Sequence, residues 1–136
     1  MIIKKEFPPN YGEIRRAGLG DDPNVIVAYG DTIFNPSGQD IPEDVKFHEF
    51  IHSKQQKAYG SVENWWVKYC WDKEFRLEAE VVAYASQYAV IRKSYPVRAC
   101  REALDEFASN LASDMYKLDI NKSKAESLIR HKSLVV

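Results

Sequence analysis

A mostly helical α+β fold is what this amino-acid sequence predicts, and three observations predict it. Val25-Ile26-Val27-Ala28-Tyr29 is the one run rich in β-branched and aromatic residues, and Gly30-Asp31 followed by Thr32-Ile33-Phe34 supplies a tight turn and a short return. After residue 40, apolar residues recur at steps of three and four, the period of a helix face. The 136 residues contain no internal repeat, low-complexity tract or linker, and that length supports a single core. The expectation is one domain over residues 1–136, with a short β-hairpin or edge strand packed on a multi-helix core.

Composition excludes several classes of partner. With 45% hydrophobic and 29% charged residues and a formal net charge of −1, the chain offers nothing to draw nucleic acid or an anionic membrane. The apolar start Met1-Ile2-Ile3 is interrupted by Lys4-Lys5-Glu6, too early for a signal peptide, and no later run approaches a membrane span, so a cytoplasmic location is expected. Cys70 and Cys100 form no C-x-x-C pair and read as reduced thiols, with a single disulfide only if the protein works outside a cell.

Taken in order, residues 1–20 carry mixed signals. Pro8-Pro9 and Gly12 break local order, and Glu13 to Leu19 can form at most a short helix. A turn at residues 21–24 precedes the hairpin, and residues 35–38 are loop. Asp40 with Glu43 makes a capping-box pattern with Pro42 in the first turn, so a helix should start near Ile41 and stop at Gly60. Ser61 caps a second helix, Val62 to about Trp71, whose Trp65, Trp66, Tyr69, Cys70 and Trp71 are too aromatic to face solvent and should pack in the core. Asp72 caps a third, Lys73 to about Lys93. Phe75, Val82 and Ala89 form its apolar stripe, beside Ala85 and Tyr88, and Arg76, Glu80, Tyr84 and Gln87 share another face. Pro96 opens an amphipathic helix marked by Val97, Cys100, Leu104, Phe107, Leu111 and Leu118. Ser123 with Glu126 should cap a short last helix before a frayed tail at residues 131–136.

The chemistry is concentrated in the first long helix. His48-Glu49-Phe50-Ile51-His52 is an H-E-x-x-H motif that uses two of the three histidines in the chain. Residues four apart on a helix share a face, so both imidazoles can reach one metal ion while Glu49 stands beside them. A catalytic zinc takes three protein ligands and leaves a position for water, so a third ligand is required. His131 lies in a polar terminal segment and reads as a surface histidine. Glu80 sits on a long helix next to Ala83, whose small side chain permits close approach. Glu78, two residues away and on nearly the opposite face, is its competitor.

This pair of motifs resembles the gluzincin metallopeptidases. His48-Glu49-Phe50-Ile51-His52, followed 28 residues after His52 by Glu80-Val81-Val82-Ala83, looks like the arrangement in which a downstream helix supplies a glutamate ligand within an E-x-x-A-type motif. Phe75-Arg76 ahead of Glu80 and Gln55-Gln56 after His52 are similar to small H-E-x-x-H proteins of bacteria and their phages. The resemblance spans about residues 25 to 90. It implies a minimal zincin-like fold, a bound Zn2+ held by His48, His52 and Glu80, Glu49 as general base, and hydrolysis of a peptide or protein substrate. Many gluzincins carry an aspartate four residues after the ligand glutamate to orient a zinc histidine. Tyr84 occupies that position here, so either a backbone carbonyl or another side chain orients the ring or the metal is held more weakly.

The group's fold also places an edge strand along the cleft. Val25, Ile26, Val27, Ala28 and Tyr29 would then bind an extended peptide by main-chain hydrogen bonds, or the strand would merely cover the helices. For the oxyanion, Tyr84, Arg76, Tyr59 and Tyr69 are chemically suitable and no motif chooses among them. A zinc-stabilised binding or accessory protein that cleaves nothing is the alternative on the same fold.

Overall fold

The computed structural model describes residues 1–136 and is mostly helical α+β, with six helices and a three-stranded sheet. Strand β1 (Ile2–Lys4) and helix α1 (Tyr11–Arg16) precede the hairpin of β2 (Val27–Tyr29) and β3 (Thr32–Phe34). Helices α2 (Glu43–Tyr59), α3 (Val62–Trp71), α4 (Lys73–Ser94), α5 (Val97–Leu111) and α6 (Lys122–Lys132) follow. No helix is long and apolar enough to cross a membrane.

The hairpin turns at Gly30, whose φ of 62° falls in the left-handed region that glycine enters at little cost. β2 pairs antiparallel with β3 and lies at one edge of the sheet. The expectation that residues 25–34 hold all the β structure is corrected by β1, which adds to β3 in parallel, Ile3 opposite Ile33. A three-residue strand exposed along its whole length has no alternation to announce it, and its partner lies far along the chain.

Three of the helices start at a side-chain oxygen. Ser61 accepts from the Asn64 N–H and Asp72 from the Phe75 N–H, the two caps the sequence predicts. The capping boxes at Asp40 and Ser123 are not formed. Pro42 is the cap residue of α2 without a side-chain bond, and Asn121 caps α6 by accepting from the Lys124 N–H. Gly60 ends α2 at φ 91°, and open space around it shows that backbone conformation, not crowding, requires glycine there.

Two apolar clusters flank the middle of the chain. Val81, Leu104, Phe107, Leu111 and Ile129 unite α4, α5 and α6, while Ile14, Val27, Trp65, Trp66 and Ala79 unite α1, β2, α3 and the start of α4. Trp71 departs from its expected burial. It is 57% exposed at the end of α3, where the helix has run past the packed cluster. Val97 likewise lies in solvent, and the tail is better held than expected, since Ser133 is buried and accepts from Arg92.

α4 is the central element, packed against α2, α3, α5 and α6. Its expected stripe of Phe75, Val82 and Ala89 is only half-buried, whereas Arg76, Glu80, Tyr84 and Gln87 are buried. A helix enclosed on several sides does not need one apolar face, and its polar row is turned toward other polar groups. Arg76 donates to the carbonyls of Tyr69 (2.7 Å), Cys70 (3.2 Å), Tyr116 (2.8 Å) and Lys117 (3.2 Å), which ties the end of α3 and the loop after α5 to α4. Those acceptors satisfy the buried guanidinium, and it is not available as the oxyanion donor suggested by its chemistry.

Candidate metal centre

α2 and α4 cross so that His48, His52 and Glu80 meet, all buried. His48 Nε2 lies 3.1 Å from one Glu80 oxygen, His52 Nε2 lies 3.1 Å from the other, and the two nitrogens are 3.2 Å apart. Two ligand atoms on a tetrahedral ion with bonds of about 2.05 Å are separated by roughly 3.3 Å, close to the 3.2 Å between the two nitrogens, and one ligand atom from each of the three residues lies within 4.8 Å of the others. The group could hold a metal ion.

Hydrogen-bond accounting fixes which imidazole nitrogen faces the centre. His48 Nδ1 is 3.0 Å from Gln87 Oε1, and His52 Nδ1 is 2.9 Å from Gln55 Oε1. An amide oxygen only accepts, so both Nδ1 atoms carry the proton. The amides cannot be turned round, because Gln87 Nε2 donates to Asp44 (2.9 Å) and Gln55 Nε2 donates to the Ala79 carbonyl (3.0 Å), both acceptors. Each ring therefore presents Nε2 inward, the arrangement a metal-binding histidine requires. Gln87, and not Tyr84, is the α4 residue that orients the His48 ring by a hydrogen bond. The Tyr69 hydroxyl donates to Glu80 at 2.5 Å and holds its carboxylate in place.

The charges are strongly coupled. Burial alone would lower the His52 pKa, but the Glu80 carboxylate outweighs it by charge and hydrogen bond, with Glu49 adding to the effect, and carries it to about 9. Burial would raise Glu80, yet His52 and the hydrogen bonds from both rings hold it well below the usual carboxylate range. Glu49 is raised, chiefly by burial, against the opposing pull of His48 and His52 and with Glu80 adding to the rise. In the metal-free protein a proton on His52 occupies the place a cation would take.

These groups border a cleft of about 270 Å³. Its walls come from the β2 side, from α2 and from α5, and Glu49 and Tyr84 both reach it. The ring of Tyr84 packs edge-on to His48 with centroids 4.5 Å apart, and its hydroxyl lies 2.8 Å from that of Tyr116, with the Asn110 side chain also in hydrogen-bond reach.

The segment Val25 to Tyr29 is only partly available to a substrate. Val25, Ile26 and Val27 border the cleft. The Ala28 carbonyl accepts from Gln56 Nε2 (2.8 Å) and Trp66 Nε1 (3.1 Å), and its N–H serves the Glu49 carboxylate. Tyr29 packs against the aromatic cluster. The expected five-residue strand is shorter, covering only Val27–Tyr29, because the Val25 N–H is bonded to the Asp22 carbonyl in the preceding turn, and Ala28 belongs to the site's own support.

The other candidates lie elsewhere. Glu78 faces outward and pairs with Lys132 at 2.8 Å, and His131 is exposed and bonded to Ser127 within α6. Tyr59 is exposed at the end of α2 and packs on Phe75. Sequence reasoning missed the roles of Gln87, Tyr69, Asp44 and Tyr116. Gln87 and Gln55 shared helix faces with the ligands and carried a signal, whereas Tyr69 and Tyr116 arrive from other elements and carried none. Compared with protein-family models, with curated proteins and with solved structures, the chain gives no match.

Proposed function

We propose that the protein is a zinc-dependent metallopeptidase of gluzincin type, with His48, His52 and Glu80 holding the metal. The observation that carries this reading is the pair of glutamines that fix both Nε2 atoms toward Glu80, with Glu49 buried alongside. Two nitrogens and a carboxylate in a closed triangle suit zinc, which when bound polarises a carbonyl and lowers the pKa of water from 15.7 to about 7.

The chain's own residues supply the rest. Glu49, with a raised pKa and a supporting N–H from Ala28, takes a proton from the attacking water and returns it to the leaving amine. The Tyr84 hydroxyl borders the cleft 2.8 Å from that of Tyr116, and with Tyr116 donating in that pair its own O–H would be directed to the oxyanion that forms from the scissile carbonyl. An extended peptide lies along the segment Val25 to Val27, which borders the cleft.

The test uses zinc-loaded protein and a mixture of proteome-derived peptides, with products read by mass spectrometry. Glu49→Gln should reduce cleavage by about a hundredfold or more, the usual range for a general base, while keeping its zinc. Zinc-loaded protein that cleaves nothing, or a Glu49→Gln variant as active as the parent, sinks the peptidase reading and leaves the zinc-stabilised binding protein.

A further inference from the structure

α2 and α5 both pack on α4 but make at most marginal contact with each other, so the C-terminal half of α4 floors an open groove of about 770 Å³ between them. Its apolar surface includes Val90 and Tyr95, two of the large hydrophobic side chains the protein leaves exposed. Its charged lining is Glu43, Asp44, Glu102 and Glu106, with no lysine or arginine. That excess is local, because the chain as a whole has 19 basic and 20 acidic residues.

The four carboxylates are not equivalent. Glu43 and Glu102 pair with Lys46 (3.0 Å) and Arg98 (3.3 Å) on their own helices. Asp44 and Glu106 have no cation within ion-pair distance, and Asp44 receives only the Gln87 amide. These two residues, with Gln87 and Phe107, border both the groove and the metal-site cleft. The two depressions thus meet at a shared wall, and the two exposed, unpaired acids stand on it.

We propose that the groove is the substrate's second binding region and selects a peptide that places a lysine or arginine side chain between Asp44 and Glu106, with an apolar neighbour against Val90 and Tyr95. Charge complementarity names the occupant. Both carboxylates are exposed, so an acidic side chain at the junction is repelled and a neutral one gains no charge contact, whereas an alkylammonium or guanidinium pairs with them and lays its methylene stem on the apolar floor. The proposal rests on the peptidase reading and deepens it by naming the substrate class.

The test reads binding separately from turnover. Zinc-loaded Glu49→Gln protein is titrated with fluorescent, N-acetylated decapeptides that carry arginine, lysine, citrulline or norleucine at each position in turn, and anisotropy gives the affinity. At one or two adjacent positions the basic peptides should bind at least tenfold tighter than their citrulline and norleucine counterparts, and Glu106→Gln should reduce that advantage severalfold with zinc content unchanged. Raising the salt concentration should shrink it too. Equal affinity for the basic and neutral peptides at every position overturns the proposal. So does a preference that appears only when the acetyl cap is removed, since the junction would then read an α-ammonium group. Basic selectivity without hydrolysis by the parent protein would instead overturn the peptidase reading and leave the groove standing.

Discussion

At the scale of the residue, the centre is defined by protons as much as by ligands. His52 is held at a pKa of about 9, above its ordinary 6.5, because the Glu80 carboxylate overcomes the penalty of burial. In the metal-free protein this contributes stability that is fully present below about pH 6.5 and lost as pH rises through about 9. A metal must displace the same proton, so the sign reverses for binding: affinity should fall roughly tenfold per pH unit below about 9. Titration against a chromophoric chelator at pH 8 and pH 7 should show that step, and equal affinities would contradict the charge assignment. The motif spacing made His48, Glu49, His52 and Glu80 legible in the sequence. The partners that set their tautomers were less so, because Gln87 reaches His48 from a different helix and Tyr69 reaches Glu80 from a third.

Among the elements, α4 decides the architecture. Its sequence reads as a helix with one weak apolar stripe, but its enclosure by four other helices buries the polar row instead. Periodicity reports how many faces a helix must bury only when one side meets water, and α4 has little such side. The caps show a similar limit. Ser61 and Asp72 bond as the pattern requires, yet Asn121 caps α6 two residues ahead of Ser123, a start that brings Ala125 and Ile129 into the core. Arg76 is the clearest test at this scale. Removing its side chain strips four carbonyls of their donors, so Arg76→Ala should cost about 3 kcal/mol or more and lower the melting temperature by roughly 10 °C in a chain of this size. An unchanged melting curve would show that the guanidinium does not tie α3 and the loop after α5 to α4.

For the whole molecule, the metal centre lies between two apolar clusters and joins the helices that carry them. Gln56 on α2 accepts from the Gly30 N–H at 2.7 Å and donates to Ala28, so the hairpin is hung from the helix that bears the motif. Residues 25–34 were legible as a hairpin because turn and strands are local. β1 was not, since its pairing is long-range, and neither was the junction of cleft and groove, which exists only once α2 and α5 have both docked on α4. A metal held by α2 and α4 together would couple folding to loading, so its removal should destabilise the chain as a unit.

The central claim is that His48, His52 and Glu80 form one three-ligand zinc site. Its most direct test is elemental mass spectrometry of tag-free protein purified without chelators and reconstituted with zinc, beside a Glu80→Ala variant. The expected result is about one zinc per chain in the parent and much weaker retention in the variant. Zinc-free parent protein after reconstitution, or a variant that holds the metal as tightly as the parent, would contradict the assignment.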